Sequence, residues 1–235
     1  MKAAKSFQGV LFDMDGLMID TESIALAAFV KAMRDFGYVV PEAVFIDTIG
    51  LDGRESERLL SGRFGVGFPF EEISKRMRRY ERRHIREHGI ALKPGIRELL
   101  TFLERHSIKK GVGTSTMKEE ALKKLASTGL KRYFDVIVGG DEVDRGKPQP
   151  DIYLKVAASL DVRPDCCYVL EDSEPGIGAA FGGGMKPIMI PDMKPPSETV
   201  AKLCHRIFPD HFAVIGFLRS VLEEGKEPNP NVETP

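Results

Sequence analysis

The chain has 235 residues, room for one large domain or a medium domain carrying a smaller one, with the 42% hydrophobic and 29% charged content of a globular protein. A formal net charge of -1 provides no global basic field, so nucleic acid is not an expected partner. No apolar stretch approaches the roughly 20 residues that span a bilayer, so no membrane partner is expected either.

The first residues, Met1-Lys2-Ala3-Ala4-Lys5-Ser6, begin like a signal n-region, but the apolar run after them is short and reaches Asp13 at once, leaving no h-region. Cys166, Cys167 and Cys204 have neither disulfide-framework nor metal-site spacing. Reduced structural thiols in a cytoplasmic protein are therefore expected, with Cys166 and Cys167 on opposite faces of a strand.

The run Gly9–Phe12 predicts a buried strand, and Asp13-Met14-Asp15-Gly16 follows it directly. Two carboxylates two residues apart repel each other unless a cation holds them and an electrophile arrives beside them. A phosphoryl group with Mg²⁺ meets both needs. An acidic turn after a strand is the simpler alternative.

Residues 22–90 carry helical patterns and no convincing strand. Ile24, Ala28, Val30, Met33 and Phe36 predict a helix ended by Gly37, and Glu55–Leu60 and Glu71–His88 predict two more. A helical insert after the first strand reads as a separate cap over residues 21–91, hinged near Asp20-Thr21 and at Leu92-Lys93-Pro94-Gly95. Its basic run Lys75–His84 is either a solvated face balanced by Glu71, Glu72, Glu81 and Glu87 or a ligand site.

From residue 94 the patterns alternate. Strands are predicted at Lys110–Gly113, Val136–Val138, Tyr168–Leu170 and Pro187–Ile190. Helices are predicted from Pro94 onward, at Lys118–Thr128, at Ile152–Leu160 and at Gly176–Phe181. That alternation implies βαβ units and an α/β fold with a parallel sheet, its working residues gathered past the carboxyl ends of the strands. Asp13, Thr114 and Asp172 each stand there. Gly182-Gly183-Gly184 lacks dinucleotide spacing and reads as a helix end. The core is expected over residues 1–20 and 92–225, and the polar end, Glu223–Pro235 with its tail at 226–235, is expected to be poorly ordered.

Four segments in order then resemble one family. Phe12-Asp13-Met14-Asp15-Gly16-Leu17 with Asp20-Thr21-Glu22 is similar to the first motif of the haloacid dehalogenase superfamily, and Gly113-Thr114-Ser115 to its second. Gly146-Lys147-Pro148-Gln149-Pro150-Asp151 is similar to the third, and Glu171-Asp172-Ser173 to the fourth, so the resemblance covers about residues 7–192. It implies a Rossmann-like parallel core with an inserted C1 helical cap, in the β-phosphoglucomutase-like branch of sugar-phosphate phosphatases.

By this resemblance Asp13 is the nucleophile and Asp15 the general acid, then the base. Mg²⁺ would sit on Asp13, the backbone carbonyl of Asp15 and Asp172, with Glu171 acting from behind or through water. Thr114 would hold a phosphate oxygen with the Ser115 N–H where the next helix starts; in isolation Thr114 also reads as a helix cap. Lys147 would neutralise nucleophile and phosphate, and Pro148 and Pro150 stiffen its segment.

The resemblance also implies a small phosphorylated metabolite as substrate, and a monomer is the default. In the mutases of this branch a His follows the Asp-Thr of the first motif. Here Asp20-Thr21-Glu22-Ser23-Ile24-Ala25-Leu26 contains none, which counts against a mutase. Arg54 matches the cap's specificity loop, where it binds a second phosphate or a hydroxyl-rich substrate, or else pairs with Glu55 or Glu57 at the surface. A non-catalytic binding protein of this fold is the alternative from another class; it would be expected to lack one of the reactive groups, and this chain has them all.

Overall fold

The structure is a computed structural model and describes residues 7–224. Strand β1 (Gly9–Phe12) is followed by helices α1 (Thr21–Asp35), α2 (Ala43–Ile46), α3 (Gly53–Phe64) and α4 (Phe70–His88). Next come α5 (Ile96–Arg105), β2 (Lys109–Gly113), α6 (Lys118–Ser127), β3 (Val136–Val138) and α7 (Asp151–Ser159). The chain continues through β4 (Cys167–Glu171), α8 (Glu174–Gly182), β5 (Lys186–Met189), α9 (Glu198–Ala201), β6 (Arg206–Ile207) and α10 (His211–Glu224).

The strands form one parallel sheet in the order β3-β2-β1-β4-β5-β6. Val10, Leu11 and Phe12 have no exposed surface, as expected for a strand covered on both faces. On one face Leu11 and Val169 pack with Ile152, Val156 and Leu160 from α7 and its end, and with Ala179 and Ala180 of α8. Helix α5 buries Ile96, Leu99, Leu100 and Leu103, the helical stripe legible in its sequence. Full burial of such a side chain contributes about 1.5–3 kcal/mol each.

This topology decides where chemistry can occur. The chain lays β1, β2 and β3 outward in one direction and then returns to place β4 on the other side of β1. The reversal opens a crevice at the carboxyl ends of β1 and β4. Phe12 is in register with Val112 of β2 and Leu170 of β4. Asp13, Thr114 and the Glu171-Asp172 pair therefore leave the sheet at the same edge.

The chain divides into two compact units, cut between Ile19 and Asp20 and between Ala91 and Leu92. The inserted unit, Asp20–Ala91, is helical with no strand among its described residues. Within it α1 lies along α4 and buries Ile24, Ala28, Phe29, Ala32 and Met33, while Asp35 accepts hydrogen bonds from Arg76 at 2.6 Å and Tyr80 at 2.5 Å. On α4, Lys75 pairs with Glu71 at 2.9 Å on the solvated face.

Between Ile190 and Glu223, where no element is expected from the sequence, the chain forms α9, β6 and α10. Strand β6 spans only Arg206–Ile207, too short to show a period. Glu223 and Glu224, expected in the tail, end α10 instead, and the tail at 226–235 lies outside the described residues. Cys166 ends a short 3-10 turn rather than sharing the strand with Cys167. Burial pushes the Cys167 thiol up to about 12 and the Cys204 thiol up to about 11, which leaves little thiolate on either. No helix among the described residues is long and apolar enough to cross a membrane.

Candidate active site

Asp13 is the first residue past β1, and its backbone N–H still donates to Leu170 O at 3.0 Å, which fixes it against β4. Its side chain is buried and accepts from Lys147 Nζ at 2.5 Å. The same ammonium donates to Glu171 Oε1 at 2.6 Å and lies 4.8 Å from the centre of the Tyr153 ring. Glu171 is fully buried and heavily satisfied: Tyr153 Oη also donates to Oε1. Oε2 accepts from Ser173 Oγ at 2.9 Å and from the backbone N–H groups of Asp172 and Ser173 at 3.2 Å.

Burial pushes the Asp13 carboxyl up to about 7; the Lys147 charge pulls against this, while Glu171 and Asp15 add repulsion. Burial opposes the charge on Lys147 as well, but the carboxylates of Asp13 and Glu171 outweigh it and hold the ammonium protonated. Burial, with Glu171 adding to it, keeps the Tyr153 phenol neutral and well above its ordinary value, so it serves as a donor. Carboxylate oxygens of Asp13, Glu171 and Asp172 lie within 4.8 Å of one another. An all-oxygen donor set with surplus negative charge fits a hard divalent cation.

Two glycines make this packing possible. Gly16 has φ +80°, and a Cβ there would stand 2.3 Å from Asp172 Oδ2. A Cβ on Gly176 would stand 1.8 Å from Glu171 Oε1.

The Asp15 carboxylate has partners of its own. Thr116 Oγ1 donates to Oδ2 at 2.7 Å and Lys124 Nζ to Oδ1 at 2.9 Å. Burial opposes the Lys124 charge, yet Asp15 holds the ammonium above its ordinary value. Thr114 is buried, donates its N–H to Val138 O at 3.1 Å and accepts the Thr116 N–H on Oγ1 at 3.1 Å.

Two expectations for this loop need correction. Ser115 does not open the next helix, which starts at Lys118 as its apolar pattern predicts, because the hydroxyl of Thr114 closes a turn with Thr116 first. Thr114 is accordingly not a helix cap; Met117 precedes α6 and makes no side-chain cap. Ser115 is exposed in that loop.

Arg54 lies in the inserted unit, in the first turn of α3, and is exposed. Its backbone N–H donates to Asp52 Oδ1 at 2.8 Å, and the Glu55 carboxylate accepts from Asp52 N at 3.0 Å. This capping box occupies Glu55, and among the described residues no ion pair joins Arg54 to Glu55 or Glu57.

Tyr153, Thr116 and Lys124 take part from outside the four family-like segments, and Ser173, the last residue of the fourth, holds Glu171. For Lys124 a signal exists: it stands three residues after buried Ala121, beside the buried stripe of α6, whereas Lys123 points to solvent and pairs with Glu119.

Comparison with known proteins bears on this geometry. A family model described as haloacid dehalogenase-like hydrolase matches residues 10–190. The chain belongs to that family. A phosphorylated carbohydrates phosphatase of Thermotoga maritima is 35% identical over 181 residues, covering 77% of this chain and 83% of the relative. The crystal structure of CbbY from Rhodobacter sphaeroides in complex with phosphate has a TM-score of 0.67 at 29% identity, covering 87% of this chain and 95% of that one. A β-phosphoglucomutase structure from Clostridium difficile has a TM-score of 0.71 at 22% identity, covering 93% and 98%, a likeness of fold alone. Within the haloacid dehalogenase-like family the chain stands with the phosphoric monoester hydrolases.

Proposed function

We propose that this haloacid dehalogenase-like phosphatase hydrolyses small phosphorylated carbohydrates, with Mg²⁺, through an aspartyl-phosphate on Asp13. The observation that carries this is Asp13 itself: a buried carboxylate at the switch point of the sheet, aimed by Lys147 and flanked by Glu171 and Asp172. The Thermotoga relative's name supplies the carbohydrate class. Asp13, the Asp15 carbonyl and Asp172 would hold the cation, which would neutralise charge between phosphate and carboxylates.

The chain's own groups then divide the work. Asp13 attacks phosphorus in line while Asp15 protonates the departing alcohol oxygen. Asp15 next takes a proton from the water that attacks the aspartyl-phosphate, releasing phosphate and restoring Asp13. Thr114 and Ser115 bind phosphate oxygens, and Lys147 keeps the two anions from repelling. Glu171, held by Tyr153 and Ser173, keeps Lys147 in place. The inserted unit is the proposed cap, and Arg54, by its position in the sequence, the proposed selector of substrate. A phosphomutase is not favoured, because no His follows Asp20-Thr21.

The deciding experiment measures phosphate release from a panel of sugar phosphates with Mg²⁺, beside acid-quench trapping of labelled phosphate on the protein. Asp13→Asn should lose both turnover and trapped label. Undiminished turnover in that variant would overturn the mechanism.

A further inference from the structure

Asp15 is held from both sides. Lys124 Nζ reaches Oδ1 at 2.9 Å from α6, and Thr116 Oγ1 reaches Oδ2 at 2.7 Å from the loop after β2. The contacts are sheltered, with 15% of the Lys124 side chain and 24% of the Asp15 side chain exposed. Neither donor is loosely mounted. The Lys124 ammonium also lies 3.7 Å from Glu120 on its own helix, and Thr116 is tied by its N–H to Thr114 Oγ1 at 3.1 Å and by its carbonyl to Gly140 N at 3.0 Å.

A carboxyl oxygen has two lone pairs, so neither donor by itself fills the oxygen it reaches. Fixing both oxygens also removes the freedom of the side chain to rotate away. The geometry points to Lys124 and Thr116 as positioning residues that hold the Asp15 carboxyl where it exchanges its proton with the reacting oxygens. This inference rests on the proposed role of Asp15 as acid and base. In the first step a bond forms between Asp13 oxygen and phosphorus. The bond from phosphorus to the alcohol oxygen breaks, and that oxygen keeps the electron pair and takes the Asp15 proton.

The need for that proton depends on the leaving group, and this separates positioning from mere packing. Benzyl phosphate and p-nitrophenyl phosphate are similar in size, but benzyl alkoxide needs a proton to depart and nitrophenolate does not. Since kcat/KM reports steps through formation of the aspartyl-phosphate, only the acid role of Asp15 enters it. Lys124→Met should lower kcat/KM for benzyl phosphate by about 10²-fold, the scale of an ångström-sized misplacement. For p-nitrophenyl phosphate it should change by less than about threefold on the same scale. Lys124→Arg should restore most of the loss. Thr116→Val should show the same contrast, and it carries the test should Lys124→Met fail to fold.

Asp15→Asn is the reference. If it is selective for benzyl phosphate while the Lys124 and Thr116 variants lower both substrates equally or neither, the positioning role is overturned and the acid role stands. If Asp15→Asn itself shows no selectivity, the acid role falls and takes this inference with it.

Discussion

At the scale of single residues, Asp13 and Asp15 are two positions apart and have different partners: Lys147 for the first, Lys124 and Thr116 for the second. The carboxylate of Asp172 stands with Asp13 instead. Asp15→Asn should therefore leave the Mg²⁺ concentration for half-activation nearly unchanged while lowering the rate about 10²–10⁴-fold, the usual worth of general acid–base assistance. Asp172→Asn should shift the Mg²⁺ requirement upward. Equal metal dependence in the two would show that the side chains do not divide in this way. Gly176→Ala should be costly out of proportion to one methyl, because its Cβ would meet Glu171 Oε1 at 1.8 Å, an oxygen held by Lys147 and Tyr153. A loss of about 1–3 kcal/mol, the range for overpacking, should appear in urea denaturation. Asp13, Lys147 and Asp172 were legible in the sequence because each carries charge in a segment that also fixes the backbone. Tyr153 and Thr116 were not, since they act by holding another side chain, and such partnerships exist only once distant segments meet.

Among the elements, the legible ones were those with a strong apolar signal. Strand β1 reads as Val10-Leu11-Phe12, and α5 as a stripe of Ile96, Leu99, Leu100 and Leu103. Helix α10 has an equally regular stripe in Val214, Phe217, Leu218 and Val221, all buried, yet it follows β6, which is too short to announce another βα unit. Helix α6 starts at Lys118, where its stripe of Ala121, Leu122 and Leu125 predicts it; Ser115 lies outside it because Ser and Thr hydroxyls compete for the backbone, and that of Thr114 closes a turn with Thr116 first. Since Leu11 lies in the middle of β1 and packs under α7 and α8, Leu11→Ala should cost about 2–5 kcal/mol. The corresponding change at exposed Leu51, 38% accessible, should lie within about 0.5 kcal/mol of the parent. Comparable losses at the two sites in chemical denaturation would contradict the burial that places β1 at the centre of the sheet.

For the molecule as a whole, stability should carry the imprint of one buried imidazole. His211 opens α10, is 1% exposed, and its Nδ1–H donates to Pro94 O at 2.9 Å, joining the last helix to the segment that leads into α5. Its Nε2 is buried with no hydrogen-bond partner, so a second proton there would have no acceptor. Burial lowers the His211 pKa below its ordinary 6.5. The Pro94 carbonyl, Asp210 and Glu98 pull it upward and Lys93 adds to the lowering, but burial prevails. With the folded value below the unfolded one, the unfolded chain binds more protons between the two. The stability due to neutral His211 is therefore fully present above pH 6.5 and is lost as pH falls from there toward the lowered value. His211→Leu removes the hydrogen bond, worth about 1 kcal/mol, so it should melt below the parent at about pH 7.5. It also removes the titration, so the gap in Tm between parent and variant should narrow as pH falls toward about 5.5. A gap that stays constant across that range would mean that another group sets the acid limb of stability.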